Sequence, residues 1–453
     1  MTRRPLGPVL AVLIASALGC TSVSPSAPSA SATPGGDESG ATVRPTPPAQ
    51  DPAAREPGGP RDRPQVPHAP DVPGAYRFIS APDFLNQDVA DLTAGGREQY
   101  VVEATGEVAN STNAEYDVAL DRVLDEMASH GTDDVLVAGD LVEGRWGRDD
   151  SGTGVFGPVR TEAQRLRAWR RAAAVYYPAW RERFAERGLR TYTAVGDHEL
   201  GDDPWRAPHS PWVDFKRRHV PQFKEIYAEQ MLTRADGTPR FTDRPRRGPA
   251  RDTAYTVRLD ADVLLVTLDV FERRDGDVHT SLDPAQLRWL RQVLRRARAD
   301  EVPWVVVQGH TPMTADVRTR SSSRLVYERG ARSDLWRTMV EGGVDVYLSG
   351  EVHDQTVHQR DGILEVSHGS LFYRGEASYV VGQVTGDRLV LENRQFRGEV
   401  GFEDRLWTTS RQGAPGHISY PRRSIVTGTL EASRTRSGGV RVDDADGIFT
   451  LRR

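Results

Sequence analysis

Val344–Asp354, VDVYLSGEVHD, sets a short apolar run directly before a glycine, then an acid and a histidine two residues apart. The run VDVYL has the length and composition of a strand buried on both faces. A turn at Gly350 would then present Glu351 and His353 at the end of that strand. In open α/β sheets ligands collect at the carboxyl ends of strands. An acid and a histidine presented together there are the donor types a metal ion takes. Alone, the stretch is weak evidence, because an acid after a glycine at a strand end is commonly a turn residue or a helix cap.

The pattern recurs along the chain. YRFIS (76–80) runs into APDFLNQD, DVLVA (134–138) into GDLVEGR, RTYTAV (190–195) into GDHE, and WVVVQ (304–308) into GHTP; DVLLVTLD (262–269) is a further run of the same kind. Between them, AEYDVALDRVLDEMASHG (114–131) and LDPAQLRWLRQVLRRARAD (282–300) carry apolar residues at helical spacing. Strands alternating with helices imply βαβ units and an α/β fold. The chain has no internal repeat.

The chain has 453 residues, 38% of them apolar, enough for a full core in one large α/β unit or two to three domains. The formal net charge of −5 argues against a nucleic-acid coat, whose affinity comes from neutralising phosphates. Almost every basic residue is arginine; the exceptions are Lys216 and Lys224.

Residues 1–20 read as a signal peptide: MTRRPLG is a basic start, and VLAVLIASALG is an apolar stretch too short to span a bilayer comfortably. Cleavage would fall before Cys20, the only cysteine of the chain. The context ALGC resembles the lipobox of bacterial lipoproteins, so the protein is expected to be exported and anchored to the membrane through a lipid on Cys20. The alternative is a secreted protein with an incidental cysteine. Residues 21–73 are rich in Ser, Pro, Ala and Gly and are expected to form a disordered tether, because they offer little apolar surface to offset ordering entropy. Residues 74–400 would be the main folded domain and 401–453 a C-terminal extension, with VRVDDADGIFTLRR suggesting a strand pair. The Arg-, Pro- and aromatic-rich stretch 208–251 reads as a long loop shaping access to the site.

The ordered blocks PDFLNQD, GDLVEGR, GDHE, QGHTP and GEVHD resemble those of the calcineurin-like metallophosphoesterases, the group that includes the purple acid phosphatases. Those enzymes carry an Asp-containing first block, then GD, GN[HD][DE], GH and GHxH. The likeness covers about residues 75–397 and implies a two-sheet βαβ sandwich flanked by helices. It also implies two divalent metal ions and hydrolysis of a phosphate ester by a metal-bound hydroxide. Carried over by position, Asp140 would bridge the metals, Asp83 and His353 would hold the first, and Asp197, His310 and Glu351 the second. His198 would protonate the leaving oxygen or steady the phosphoryl group, and Arg145 would contact the substrate phosphate.

The chain departs from the family pattern at three places. Leu85 stands where the first block has a histidine, leaving Asn86, Asp88 or water to serve. Asp197 replaces an asparagine and Glu351 a histidine. Both latter changes add hard, charged oxygen, which favours Mn²⁺ or iron over Zn²⁺. A reading from another class is a cell-surface scaffold lipoprotein that keeps the fold but has lost turnover. His368, after the next apparent strand, reads as structural.

Overall fold

The computed structural model describes residues 63–84, 100–102, 107–109, 114–142, 144, 146–147, 156–202, 205, 210–314, 325–369, 371–373, 376–400, 418–435 and 438–451. Two large mixed sheets carry the fold. The first runs, from one edge, through Val440–Gly447, Ile425–Arg434, Arg388–Phe396, Glu376–Thr385, Tyr76–Ser80, Asp134–Val137 and Arg190–Thr193, with Leu371–Tyr373 paired to Glu376–Thr385. The second runs through Thr356–Arg360, Ile363–Ser367, Val346–Ser349, Trp304–Gln308, Val263–Thr267 and Tyr255–Arg258. The chain is thus an α/β structure, as its strand series suggests, and its two sheets are those that the family resemblance implies.

Inside each sheet lies a parallel block: 76–80, 134–137 and 190–193 in the first, 263–267, 304–308, 346–349 and 363–367 in the second. Runs such as Trp304–Gln308 and Val346–Ser349 are buried at every position, as parallel strands covered on both faces must be. Polar ties join the sheets across the core. The Gln308 side-chain amide donates to the Tyr192 carbonyl at 2.9 Å, and the Trp304 indole to the Gly386 carbonyl at 2.9 Å.

Among the described residues there are five α-helices: α1 (Ala114–Ala128), α2 (Glu162–Ala185), α3 (Pro211–Met231), α4 (Pro284–Ala299) and α5 (Asp334–Gly342). Helix α2 starts on a capping box, in which the Thr161 side chain accepts from the Gln164 amide and the Gln164 side chain reaches back to the Thr161 amide. It packs on α3 through rings, Trp169 lying on Phe223 at 3.8 Å between centroids.

Three expectations change. The stretch 208–251 is not one long loop, because α3 occupies half of it. Ser210 caps the Val213 amide at 3.1 Å, Pro211 sits in the first turn where no amide is needed, and Val213, Phe215, Val220, Phe223 and Tyr227 are buried. The expected tether ends sooner than residue 73. Val66 is buried and its amide donates to the Val426 carbonyl at 3.0 Å, while the Ala69 and Val72 amides donate to Glu392 and Gln383, so 63–73 is tied to the first sheet. The final stretch VRVDDADGIFTLRR gives one strand, Val440–Gly447, in place of a strand pair, and with Ile425–Arg434 it forms the edge of that same sheet. Residues 1–62, with the signal segment and Cys20, lie outside the described residues.

Candidate metal centre

Each parallel strand near the middle of the molecule ends within a few residues of a polar side chain. Ser80 leads to Asp83, Val137 to Asp140, Thr193 to Asp197, Gln308 to His310 and Ser349 to Glu351. All five side chains are buried, and the two sheets bring them to one place. The ligand atoms of Asp83, Asp140 and His310 lie within 4.8 Å of one another. So do those of Asp140, Asp197 and His198, and those of Asp197, His310 and Glu351.

The backbone at these strand ends is unusual. Asp83 (φ 58°), Asp140 (φ 58°), Glu351 (φ 70°) and His353 (φ 47°) are left-handed, a region uncommon for residues other than glycine and costing roughly 1–3 kcal/mol where it is strained. Turning the chain this way aims consecutive strand ends inward. Room is made by two glycines. A Cβ on Gly196 would sit 2.1 Å from Asp140 Oδ1, and one on Gly139 would sit 2.6 Å from His310 Nδ1.

Hydrogen bonds then fix the donors. His310 Nδ1 stands 2.9 Å from the Ala138 carbonyl; a carbonyl only accepts, so Nδ1 carries hydrogen and Nε2 faces the acids. Nε2 lies 2.8 Å from Asp197 Oδ1, 3.4 Å from Asp140 Oδ2 and 3.5 Å from Glu351 Oε2. Asp140 Oδ1 accepts the His198 amide at 3.0 Å, and Asp83 Oδ1 accepts the Glu351 amide at 3.1 Å. Glu351 Oε1 accepts the Leu325 amide at 3.2 Å, which draws the segment after residue 324 against the cluster. Asp83 Oδ2 is buried with no hydrogen-bond partner.

Electrostatics explain what this arrangement lacks. Burial pushes the Asp83 carboxyl up to about 7, against the opposing pull of His310, with Glu351 and Asp197 adding to the rise. Burial and then Asp197 push Asp140 well above the ordinary carboxylate range, and burial followed by Asp197 raises Glu351. Burial alone would lower His310, but the acids around it, Asp140 foremost, hold it well above an ordinary histidine. Four carboxylates share one imidazolium, and protons substitute for missing positive charge. Hard oxygen donors around an imidazole, one carboxylate oxygen of them orphaned, suit divalent cations.

The sequence-derived residues are not all alike. His198 is nearer the ligand set than a pure proton donor need be, with Nε2 3.8 Å from Asp140 Oδ2 and 3.8 Å from Asp202 Oδ1. It keeps a little solvent exposure. His353 is buried beside the strand end but stands outside all three groups. Arg145, Asn86 and Asp88 lie outside the described residues.

One residue of the site has no assigned part in the sequence reading. Glu199 accepts the amides of Gly196 (2.6 Å), Asp140 (2.9 Å) and Leu141 (2.9 Å), so a single buried carboxylate clamps the two glycine turns that carry Asp140 and Asp197. Its one signal in sequence is an acid inside the block GDHE, where a solvent-facing turn would not need it.

The family described as calcineurin-like phosphoesterase matches residues 114–355. An acid phosphatase of Aspergillus ficuum is 29% identical over 120 residues, which are 26% of this chain and 19% of that protein, so the match spans about a fifth of the relative. Among solved structures, GAP50, the anchor in the inner membrane complex of Plasmodium, aligns with a TM-score of 0.36 at 12% identity, over 78% of this chain and 89% of that one. Vps29 of Chaetomium thermophilum aligns with 0.26 at 8%, over 80% and 100%. The phosphopantetheinyl hydrolase of Mycobacterium tuberculosis aligns with 0.26 at 14%, over 66% and 91%. Since the family match spans more than half of the sequence and includes the strand ends that carry Asp140, Asp197, His310 and Glu351, this chain belongs to the calcineurin-like phosphoesterase family.

Proposed function

We propose that the protein hydrolyses phosphate esters with two divalent metal ions, Mn²⁺ or iron in preference to Zn²⁺, held at the strand-end cluster. The observation that carries this is the charge imbalance: Asp83, Asp140, Asp197 and Glu351 are all buried around His310, and Asp83 Oδ2 has no partner. Asp140, which like Asp197 and His310 belongs to two of the three donor groups, would be the residue shared by the ions, as the family resemblance implies. Asp83 would hold the first, with His353 moving in to join it, and Asp197, His310 and Glu351 the second. Bound there, the ions would neutralise phosphoryl oxygens and lower the pKa of a water molecule, the chemistry typical of paired metals.

The chain's own groups do the rest. The Ala138 carbonyl holds the His310 tautomer, and Glu199 holds the two turns at a fixed separation. His198, with Nε2 3.8 Å from Asp140 Oδ2, would give a proton to the departing ester oxygen. Arg145 would add a bidentate donor to the substrate phosphate. The purified full chain, assayed on phosphomonoesters and phosphodiesters with Mn²⁺, Fe²⁺, Zn²⁺ or Mg²⁺, should bind two ions and turn over only when loaded. Neither metal nor turnover in any condition overturns the reading in favour of the scaffold.

The protein is also proposed to be exported and membrane-anchored through a lipid on Cys20. The support is the lone cysteine at the end of VLAVLIASALG. Cys20→Ser should release the protein to the soluble fraction, and persistence in the membrane fraction refutes the anchor.

A further inference from the structure

A concentration of positive charge that shares no residue with the metal cluster lies between the stretch after α3 and α4. Residues of 242–252 and one face of α4 line a cavity of about 980 Å³, none of whose walls comes from the metal cluster. Six arginines line it against two aspartates, a local surplus of four positive charges in a chain whose net charge is −5.

The two acids are already engaged. Asp252 pairs with Arg244 at 2.9 Å and with Arg251 at 2.7 Å. Asp243 accepts the Trp289 indole at 3.1 Å and pairs with Arg296. That leaves Arg246, Arg247 and Arg288, all exposed and without an ion pair among the described residues. Like charges crowded together repel, and nothing in the fold requires these three to face one cavity.

The wall that carries them is stiff. Pro245 is buried, the Thr256 amide donates to the Asp243 carbonyl at 2.9 Å, and the Ala254 amide to the Ala250 carbonyl at 3.0 Å. Opposite, Arg288 directly precedes Trp289 and stands about two turns before Arg296 on a helix whose N-terminus is capped by Asp283. Guanidinium groups presented on rigid elements bind phosphate oxygens in bidentate fashion with little ordering cost.

We propose that this cavity is a second anion site, distinct from the metal centre, for a small ligand bearing two or more linked phosphate groups. A diphosphate carries about three negative charges near neutral pH, which matches the three arginines left without an ion pair. The concave shape suits a compact ligand better than a flat lipid surface or a nucleic-acid duplex.

The test is equilibrium dialysis of pyrophosphate against the metal-loaded full chain at fixed ionic strength, repeated with the triple variant R246A/R247A/R288A, with R288Q alone and with D140N. Pyrophosphate should bind at a site that D140N retains. The triple variant should weaken that site by at least about 10-fold and R288Q by less. These are exposed side chains, so an unchanged circular dichroism spectrum is expected and R288Q provides a second, gentler reading. Absence of binding overturns the proposal, as does binding that the triple variant keeps or that D140N removes. Tighter arginine-dependent binding of phosphatidylglycerol vesicles or of single-stranded DNA than of pyrophosphate overturns it in favour of those partners.

Discussion

Two buried charged clusters in this molecule solve the same problem in opposite ways. Behind the first sheet, Glu126 accepts from Arg394 at 2.9 Å and from the Ser424 hydroxyl and amide at 2.6 and 2.8 Å. Arg394 in turn reaches Glu392 at 2.8 Å. Two acids share one guanidinium, and both oxygens of Glu126 accept hydrogen bonds. At the strand ends, four carboxylates meet one imidazole and an oxygen of Asp83 is left over. The first cluster is complete as protein. The second needs positive charge from outside, and that difference separates a structural network from a candidate site better than burial or pKa alone.

The largest break in this comparison should come from the strand ends. Asp140→Asn or His310→Ala should lower metal-dependent hydrolysis by well over the ~100-fold typical of residues behind a metal shell. Metal-free Asp140→Asn should nevertheless unfold at the same or a higher temperature than the metal-free parent, because it removes one of the crowded carboxylates. Full activity in either variant removes the site assignment. Arg394→Met should do the reverse: it leaves Glu126 buried without its cation, at a cost of about 3–5 kcal/mol, while turnover per folded molecule stays unchanged. Adding Glu126→Leu should recover most of that loss. A stability loss below about 1 kcal/mol in chemical denaturation would mean that the network is not the closed unit described.

Glu199→Gln sharpens the boundary between the two kinds of cluster. Glu199 touches no proposed substrate position, yet it joins turns 58 residues apart. Its replacement should weaken metal binding by about 10–100-fold, read by competition with a chelator, with a smaller effect on folding of the metal-free chain. Equal metal affinity would assign Glu199 to stability alone.

Much of this could be read before any coordinates, for a local reason. A buried strand, a glycine turn and a polar residue are contiguous in sequence, so the strand series follows from short words, and it is the likeness of those words to the family's blocks that singles out Asp83, Asp140, Asp197, His310 and Glu351. What was hidden depends on distant partners. The weight carried by Glu199 is set by amides that fold back onto it, and Glu126 meets Arg394 across 268 residues. Helix α3 was masked by its composition, since Pro211 and Pro221 suggest a loop until Ser210 is seen to cap the first turn. The position of His353 rests on a left-handed turn that no side-chain pattern announces.

A smaller effect is expected where the sequence departs from its family. Glu351 adds a charged oxygen beside His310, so a centre built with it should prefer Mn²⁺ or iron, and the extra negative charge should make a bound water harder to deprotonate. Glu351→His should shift the alkaline limb of the pH profile downward and improve zinc retention. Unchanged metal content and an unchanged limb would make Glu351 a packing residue that anchors the Leu325 amide and nothing more.

The smallest effect lies in two histidines, one on each side of the comparison. Burial pushes His368, beside the Ser80 hydroxyl at 2.8 Å, down to about 3. Burial, with Arg394 second, pushes His130 down to about 4 in the structural network. An unfolded histidine titrates near 6.5, so between that pH and the folded value the unfolded chain binds a proton that the folded chain refuses. The stability each contributes is therefore complete above about pH 6.5 and drains away as pH falls, by about 1.4 kcal/mol per unit for each group. His130→Gln keeps a polar partner for the Tyr379 hydroxyl, 2.8 Å from His130 Nε2, and removes the titration. Denaturation curves at pH 7.5 and pH 5 should show the parent losing about 1–2 kcal/mol more than this variant on acidification. His368→Gln should behave alike, although its neighbours belong to the strand that leads to Asp83. Parallel losses in parent and variants would show that these imidazoles take up protons in the folded state, and that neither cluster's surroundings are as dry as their burial implies.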